Sequence, residues 1–197
     1  CTGASTTLSS ATSGGTWSSS NAGIVTIGSA TGIMAGVTAG TATISYTVST
    51  GCWVTMPVTV NQMPTGISGT FSVCVGLTTT LSNGYSGGTW TSSAPAVATV
   101  GAASGIVTGV TGGNATITYT LPGSCFVTQQ VTVNTNPATI TGPNNLCVGG
   151  NITLANATAG GLFSSSSTGV ATIGGGTGLV TGISAGTTNI SYTLTAT

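Results

Sequence analysis

One stretch of this chain occurs twice. The segment GGTWSSSNAGIVTIGSATGIMAGVTAGTATISYT, Gly14 to Thr47, returns as GGTWTSSAPAVATVGAASGIVTGVTGGNATITYT, Gly87 to Thr120, without a gap. A segment that returns in the same order with the same glycine punctuation is typical of one structural unit used repeatedly. The sequence therefore predicts a row of similar units, and this restricts the fold more than any single motif does.

The repeat has a period of 73 residues, and most of its diagnostic positions align three times. We predict repeat 1 over residues 1–62, repeat 2 over 63–135 and repeat 3 over 136–197. Only repeat 2 is complete. Repeat 1 has no counterpart of the opening strand of repeat 2, and repeat 3 has no counterpart of the closing strand of repeat 2. The aligned sets include Cys1, Cys74 and Cys147; Leu8, Leu81 and Leu154; Trp17, Trp90 and Phe163; Ile44, Ile117 and Ile190; and Tyr46, Tyr119 and Tyr192.

The pattern inside the repeat is that of β-strands. The segment TATISYTV, Thr41 to Val48, alternates apolar and hydroxyl side chains, as a half-buried strand does. Turn residues separate such segments about every ten residues, and none is long enough for a crossover helix, so an antiparallel sandwich is predicted. In repeat 2 the seven predicted strands are Thr65 to Val75, Leu77 to Ser82, Gly88 to Ser92, Ala96 to Val100, Gly105 to Val110, Ala115 to Leu121 and Val127 to Asn134.

The side chains carry no charge, because Lys+Arg, Asp+Glu and His all count 0. Nucleic-acid binding loses its main source of affinity without basic residues. General acid-base catalysis lacks a titrating group, so we expect no enzyme, no catalytic residue and no cofactor. No apolar run approaches the roughly 18 residues of a membrane span, so no membrane insertion is expected.

The repeat resembles the bacterial immunoglobulin-like domains of group 2 type. The resemblance rests on the W-[ST]-S-S segment, on V-A-T-[VI], and on G-[IL]-V-T-G-[VI] followed by G-x-[AT]-x-I-[ST]-Y-T, in repeat 2 at Gly105 to Val110 and Gly113 to Thr120. It implies an all-β, tandem array of immunoglobulin-like antiparallel β-sandwiches with about seven strands per 73-residue repeat. Cysteine-bearing arrays of this kind are similar to giant surface proteins of Bacteroidota, some of them gliding or adhesion proteins.

Five cysteines follow the period. Cys1 and Cys52, and likewise Cys74 and Cys125, are 51 positions apart, and the partner of Cys147 would fall at position 198, outside the chain. In an exported protein these spacings favour a disulfide framework, and we predict the pairs Cys1–Cys52 and Cys74–Cys125. A metal site is disfavoured, because histidine is absent and no cysteines form CxxC pairs.

The aromatic residues have two predicted roles. Core packing is expected for Trp17, Trp90 and Phe163, and for Tyr46, Tyr119 and Tyr192, because strand alternation points these rings inward. Trp53 lies beside Cys52 near a turn, so it is the candidate for an exposed glycan contact.

These observations predict an extracellular or cell-surface structural array, a stalk or filament of an adhesin-like protein whose partners are neighbouring repeats or identical chains in a fibre. One alternative is a filament subunit that polymerises by strand complementation, since an open sheet edge invites pairing. Another alternative is a glycan-binding module that uses Trp53. Incomplete terminal repeats also fit a window cut from a longer array.

Overall fold

The computed structural model describes residues 1–194, and every regular element in that part of the chain is a β-strand. The predicted all-β class is therefore confirmed. The chain divides into two compact units, Cys1–Asn134 and Thr135–Thr197. The first unit spans the residues of predicted repeat 1 and all but the last residue of predicted repeat 2, and the second spans those of predicted repeat 3.

Repeat 1 forms two three-stranded sheets in the order β1-β4-β3 and β2-β5-β6. In the second sheet, Trp17 lies opposite Tyr46 in the antiparallel register. Its strands are β1 (Ser5–Thr7), β2 (Thr16–Ser19), β3 (Val25–Ile27), β4 (Ile33–Gly36), β5 (Gly40–Thr47) and β6 (Trp53–Val60).

Repeat 2 forms two four-stranded sheets in the order β10-β13-β14-β8 and β11-β12-β9-β7. Its strands are β7 (Ser68–Gly69), β8 (Ser72–Cys74), β9 (Thr78–Ser82), β10 (Thr89–Ser92), β11 (Ala98–Val100), β12 (Ile106–Gly109), β13 (Gly113–Thr120) and β14 (Phe126–Asn134).

The opening strand of repeat 2 differs from the prediction. One strand was expected over Thr65 to Val75, but the segment divides into β7, which pairs antiparallel with β9, and β8, which pairs parallel with β14. Gly69 stands at the break with φ +130, a conformation that favours glycine. The segment thus crosses from one sheet to the other, and the sandwich is not purely antiparallel.

The second unit contains five described strands. They form a three-stranded sheet in the order β15-β18-β17 and a pair β16-β19. Their bounds are β15 (Asn151–Thr153), β16 (Gly161–Ser165), β17 (Ala171–Ile173), β18 (Leu179–Gly182) and β19 (Ile190–Leu194).

The best-formed core belongs to repeat 2. The side chains of Ala115, Ile117 and Tyr119 alternate inward along β13, and they pack with Val107 and Val131 from other strands. Repeat 1 has a smaller buried cluster of Val25, Ala42, Ile44 and Val60. The predicted alternation therefore places the apolar rows inside and the hydroxyl rows outside.

Each repeat contains the same aromatic pair. The ring centroids of Trp17 and Tyr46 are 4.6 Å apart, those of Trp90 and Tyr119 are 4.5 Å apart, and those of Phe163 and Tyr192 are 4.7 Å apart. The three tyrosine hydroxyls make equivalent hydrogen bonds. In repeat 2 the hydroxyl donates to the carbonyl oxygen of Tyr85 at 2.6 Å and accepts from the backbone N–H of Gly88 at 2.9 Å.

Replacing Tyr119 by phenylalanine tests this tyrosine bridge. We expect the free energy of unfolding of residues 1–134 to fall by about 1–2 kcal/mol, because a backbone N–H and a carbonyl lose their partner while the ring contact remains. Chemical denaturation measures the change. Tyr85→Phe, at a residue that is 40% exposed, is the control and should change stability little; an equal loss in both variants would contradict the role of the bridge.

Candidate functional site at the junction of two repeats

A disulfide joins repeat 1 to repeat 2 within the first unit. Cys1 is bonded to Cys125, 124 residues later in the sequence, with the two Cα atoms 5.8 Å apart. Cys125 is almost completely buried, at 1% exposure. The disulfide therefore links the two consecutive repeats covalently.

The strands place these two cysteines at facing ends of neighbouring repeats. The backbone N–H of Thr2 donates to the carbonyl oxygen of Asn61, the residue that follows β6, so Cys1 lies where the last strand of repeat 1 ends. Cys125 lies in the turn between β13 and β14, where the N–H of Leu121 donates to its carbonyl oxygen at 2.9 Å. The hairpin tip of repeat 2 thus meets the end of repeat 1.

The predicted pairs Cys1–Cys52 and Cys74–Cys125 are wrong for this structure. Cys52 precedes β6, whereas Cys1 lies beside the residue that follows it, so the eight residues of β6 separate them. At about 3.3 Å per strand residue this is roughly 26 Å, far beyond the roughly 7 Å limit on Cα atoms in a disulfide. The same reasoning separates Cys125 from Cys74, because Cys74 pairs in register with Asn134 at the far end of β14.

A second contact accompanies the disulfide. The Asn61 side-chain Nδ2 donates to the carbonyl oxygen of Gly123 at 3.1 Å. Gly123 has φ +95, and a Cβ built on it would collide with the Asn61 side chain. The backbone conformation favours glycine here, and a larger residue would displace the Asn61 side chain that donates to the Gly123 carbonyl oxygen.

Replacing Gly123 by alanine should weaken this junction. We expect the free energy of unfolding of residues 1–134 to fall by about 2–3 kcal/mol, because backbone strain adds to the collision with Asn61. The matched control is Gly51→Ala in the corresponding hairpin of repeat 1, where φ is +85 but nothing lies within 4 Å of the added Cβ. Denaturant titration compares the variants, and a loss in Gly51→Ala as large as in Gly123→Ala would contradict the junction contact.

The other three cysteines are free thiols in the structure. Cys52 and Cys147 are exposed, and Cys74 is half-buried. Among the described residues, no group of three or more potential ligands is placed to hold a metal ion. The predicted partner position of Cys147 lies outside the chain.

Trp53 is 66% exposed, and Phe126, at the same position of repeat 2, is 53% exposed. Val54 and Met56 follow Trp53 on β6 and are also exposed, at 66% and 44%. The structure therefore brings an aromatic ring to the surface, next to other exposed apolar side chains of β6.

The predicted core rings are buried to different extents. Trp90, Tyr46 and Tyr119 are buried, whereas Trp17, Phe163 and Tyr192 are half-buried. In repeat 1, an open cavity of about 210 Å³ lies against Trp17 and Tyr46. In repeat 2, Ile67 and Phe71 of the opening segment pack against the core.

The second unit contains a larger cleft of about 760 Å³, lined mainly by apolar side chains such as Ile140, Leu154, Val180 and Ile190. Within the described residues, β19 pairs only with β16, whereas its counterpart β13 in repeat 2 also pairs with β14. Ile190, the first residue of β19, lies in the lining of this cleft.

The chemistry of these surfaces is uncharged throughout. Hydroxyls, amides and thiols are the polar side chains available, because the sequence has no Asp, Glu, Lys, Arg or His. Within residues 1–194, no helix has the length and apolar character needed to cross a membrane. At the junction, the disulfide between Cys1 and Cys125 links two repeats covalently.

Taken together, the paired sheets of each repeat and the disulfide between repeats define a tandem β-sandwich protein of immunoglobulin-like type. Residues 54–122 match the family described as bacterial Ig-like domain (group 2). This part of the chain, about a third of its length, is therefore similar to group 2 domains, as the sequence motifs predicted. No curated protein matches the chain.

Solved structures that are similar to this chain include parts of intimin, of an S-layer protein and of a desmocollin. A C-terminal 282-residue fragment of intimin, in complex with the intimin-binding domain of the translocated intimin receptor, shares 21% identity over 65% of this chain and 53% of that fragment, with a TM-score of 0.43. Domains 4 and 5 of the S-layer protein SbsC share 24% identity over 62% of this chain and 70% of that one, with a TM-score of 0.26.

The ectodomain of human desmocollin-1 shares 10% identity over 91% of this chain and 49% of its own, with a TM-score of 0.33. The present chain thus spans about half the length of the intimin fragment and of the desmocollin ectodomain. At these TM-scores the similarities carry no functional inference.

Proposed function

We propose that this chain is part of an extracellular structural array, a stalk or filament of a bacterial cell-surface adhesin-like protein. The observation that carries the proposal is the disulfide between Cys1 and Cys125, which ties one repeat to the next. Disulfides form and persist in oxidising compartments, which include the bacterial cell surface. The match to group 2 bacterial Ig-like domains supports the same location.

The disulfide gives such a stalk a defined resistance to tension. Force applied between the two ends of the chain enters at Cys1 and crosses directly to Cys125, so the 124-residue loop between them is bypassed. The hydrophobic core of repeat 1 then carries little of the load, whereas β14, which follows Cys125 and packs in the core of repeat 2, stays in the load path. Uncharged threonine and serine faces also permit close packing between neighbouring stalks without electrostatic repulsion.

Single-molecule force spectroscopy tests this function. With handles at both termini, the oxidised chain should not release the segment between Cys1 and Cys125. Addition of dithiothreitol should lengthen the fully extended chain by roughly 400 Å, because at most about 3.5 Å is gained per residue. Equal extension in oxidised and reduced chains would contradict a tension-resistant stalk.

The proposed location is tested separately. Antibodies raised against the chain should label intact, unpermeabilised cells of the bacterium that produces it, and immunogold should decorate extended surface structures. Labelling that appears only after permeabilisation would contradict a surface location.

A second candidate function is glycan binding, which the exposed indole of Trp53 favours. Aromatic side chains at a surface supply rigid apolar area on which a sugar ring can stack. A glycan array probed with the chain and with Trp53→Ala tests this candidate. Binding lost in the variant would support it, and absence of binding by the unmodified chain would count against it.

A further inference from the structure

The two sheets of repeat 2 have different outer faces. In the sheet that contains β13, the outward residues of that strand are all polar: Asn114, Thr116, Thr118 and Thr120. In the sheet that contains β12, burial alternates from Ile106 to Val110, so Val107 lies inside while Ile106 and Val110 face outward. The outer face of this second sheet is therefore partly apolar.

The same two outward apolar side chains recur in every repeat. We call them the outer apolar pairs, and each pair lies on or directly after a strand that has a neighbour on both sides. All six side chains are between 42% and 52% exposed. The pairs are Ile33 and Val37 at β4, Ile106 and Val110 at β12, and Leu179 and Ile183 at β18. Since repeat 2 exposes its pair although its sandwich has two four-stranded sheets, a missing strand is not the cause of the exposure.

Hydroxyl side chains flank each outer apolar pair. Thr80 lies opposite Ile106 in the antiparallel register, and Thr108, between the two members of the pair, lies opposite Thr78 and Thr99 on the two neighbouring strands. The corresponding positions in the other repeats are Thr7 opposite Ile33 and Thr153 opposite Leu179. Each repeat thus presents one face with an apolar centre and an uncharged hydroxyl border.

The chemistry of this face favours an uncharged occupant. A charged partner would lose hydration against isoleucine and threonine, and the chain has no opposite charge to compensate it. The same face of a second copy carries no charge, so two such faces meet without repulsion. Branched apolar and threonine side chains also interdigitate well between packed sheets. A second copy of the chain therefore matches the face in both charge and shape.

We propose that the outer apolar pairs form a self-association surface, through which copies of this chain pack side by side. The face of one copy lies against the same face of another, so the contact is isologous and each residue of the pair contributes from both copies. This inference rests on the proposed structural array and identifies its lateral partner as a second copy of the chain.

The size of the face predicts a weak contact for each repeat. Three strands about 4.8 Å apart, with about five residues each at a rise of about 3.3 Å, give roughly 240 Å² per repeat. Stable interfaces bury about 800 Å² on each partner, so the face of one repeat is too small to hold two copies together. Three repeats supply roughly 700 Å² in total. Association should therefore accumulate over the repeats, as in multivalent binding.

Sedimentation velocity of the 197-residue chain tests the proposal. The free thiols are alkylated so that no disulfide forms between copies, and the bond between Cys1 and Cys125 is kept. We expect a reversible association that increases with protein concentration. One lysine on the face, as in Ile106→Lys, should lower the association constant by about tenfold, because like charges would meet in the contact. The triple variant Ile33→Lys, Ile106→Lys and Leu179→Lys should be monomeric.

The matched control places three lysines on the outer face of the other sheet, as Ser45→Lys, Thr118→Lys and Ser191→Lys. Both triple variants have the same net charge, and salt at about 0.15 M screens charges that do not touch. The control should associate as the unmodified chain does. Equal loss of association in the two triple variants would overturn the proposal, as would an unmodified chain that is monomeric at every concentration.

Two further points keep the test specific. Circular dichroism verifies that each variant is folded, and the substituted side chains are on outer faces, so the buried cores are unchanged. The force measurement above is made on one chain at a time and does not depend on contacts between copies. Failure of this inference is therefore distinguishable from failure of the proposed function.

Discussion

Replacing Cys125 by serine is expected to lower the free energy of unfolding of residues 1–134 by roughly 5 kcal/mol. The disulfide closes a loop of 124 residues, and in the chain-entropy model a loop of this length restricts the unfolded chain by about that amount. Denaturant titration under non-reducing conditions measures the change. A decrease in melting temperature of roughly 15–20 °C should accompany it.

Three control measurements accompany the unfolding experiment on Cys125→Ser. Cys1→Ser should equal Cys125→Ser, because each removes the same bond, and dithiothreitol should bring the unmodified chain to the same stability. Cys74→Ser removes a free thiol and should change stability little. A large loss in Cys74→Ser, with none in Cys1→Ser, would contradict the bond between Cys1 and Cys125.

Replacing Trp90 by alanine is expected to cost about 3–5 kcal/mol. The indole is 5% exposed and packs on Tyr119 with 4.5 Å between ring centroids, so its removal leaves a cavity and an unpaired ring. The loss should appear in the free energy of unfolding measured by chemical denaturation.

Trp53→Ala is the matched control, because it makes the same chemical change at a side chain that is 66% exposed. Surface substitutions of this kind usually alter stability by no more than about 0.5 kcal/mol. If Trp53→Ala destabilised the chain as much as Trp90→Ala, the assignment of core and surface rings would be contradicted.

The strands could be predicted well because their signals are local. Alternation along Thr41 to Val48 and the glycine punctuation in repeat 2 locate the inner strands to within a few residues. The division of the opening strand into β7 and β8 was missed because a change of sheet depends on tertiary pairing. Positive φ at Gly69 marks that division, and a glycine inside a strand pattern was the available signal.

The disulfide pairing could not be predicted from spacing. Within a repeat the two cysteines are 51 residues apart, and Cys1 and Cys125 are 124 residues apart, which is that spacing plus one 73-residue period. Both pairings therefore fit the repeat equally well, and the sequence does not distinguish pairing within a repeat from pairing across repeats. The tertiary structure decides between the two pairings. Cys52 and Cys125 each precede the last strand of their repeat, whereas Cys1 and Cys74 lie beside the far end of that strand, so the two cysteines of one repeat are a strand length apart.

The extent to which the aromatic rings are buried also could not be predicted from the sequence. Trp17 and Trp90 have the same local sequence, yet only Trp90 is fully buried. In repeat 2, Ile67 and Phe71 of the opening segment pack against the core cluster that contains Trp90. Local alternation predicts which way a ring points, whereas its exposure depends on what covers the sheet.

Peptide mapping under non-reducing conditions tests the central claim most directly. Trypsin has no site in a chain without lysine or arginine, but cleavage by chymotrypsin after aromatic residues places all five cysteines on different peptides. We expect mass spectrometry to find residues 1–17 linked to residues 120–126, the peptides that contain Cys1 and Cys125. Linkage of residues 1–17 to residues 47–53, which contain Cys52, would place the disulfide inside one repeat and contradict a covalently joined array.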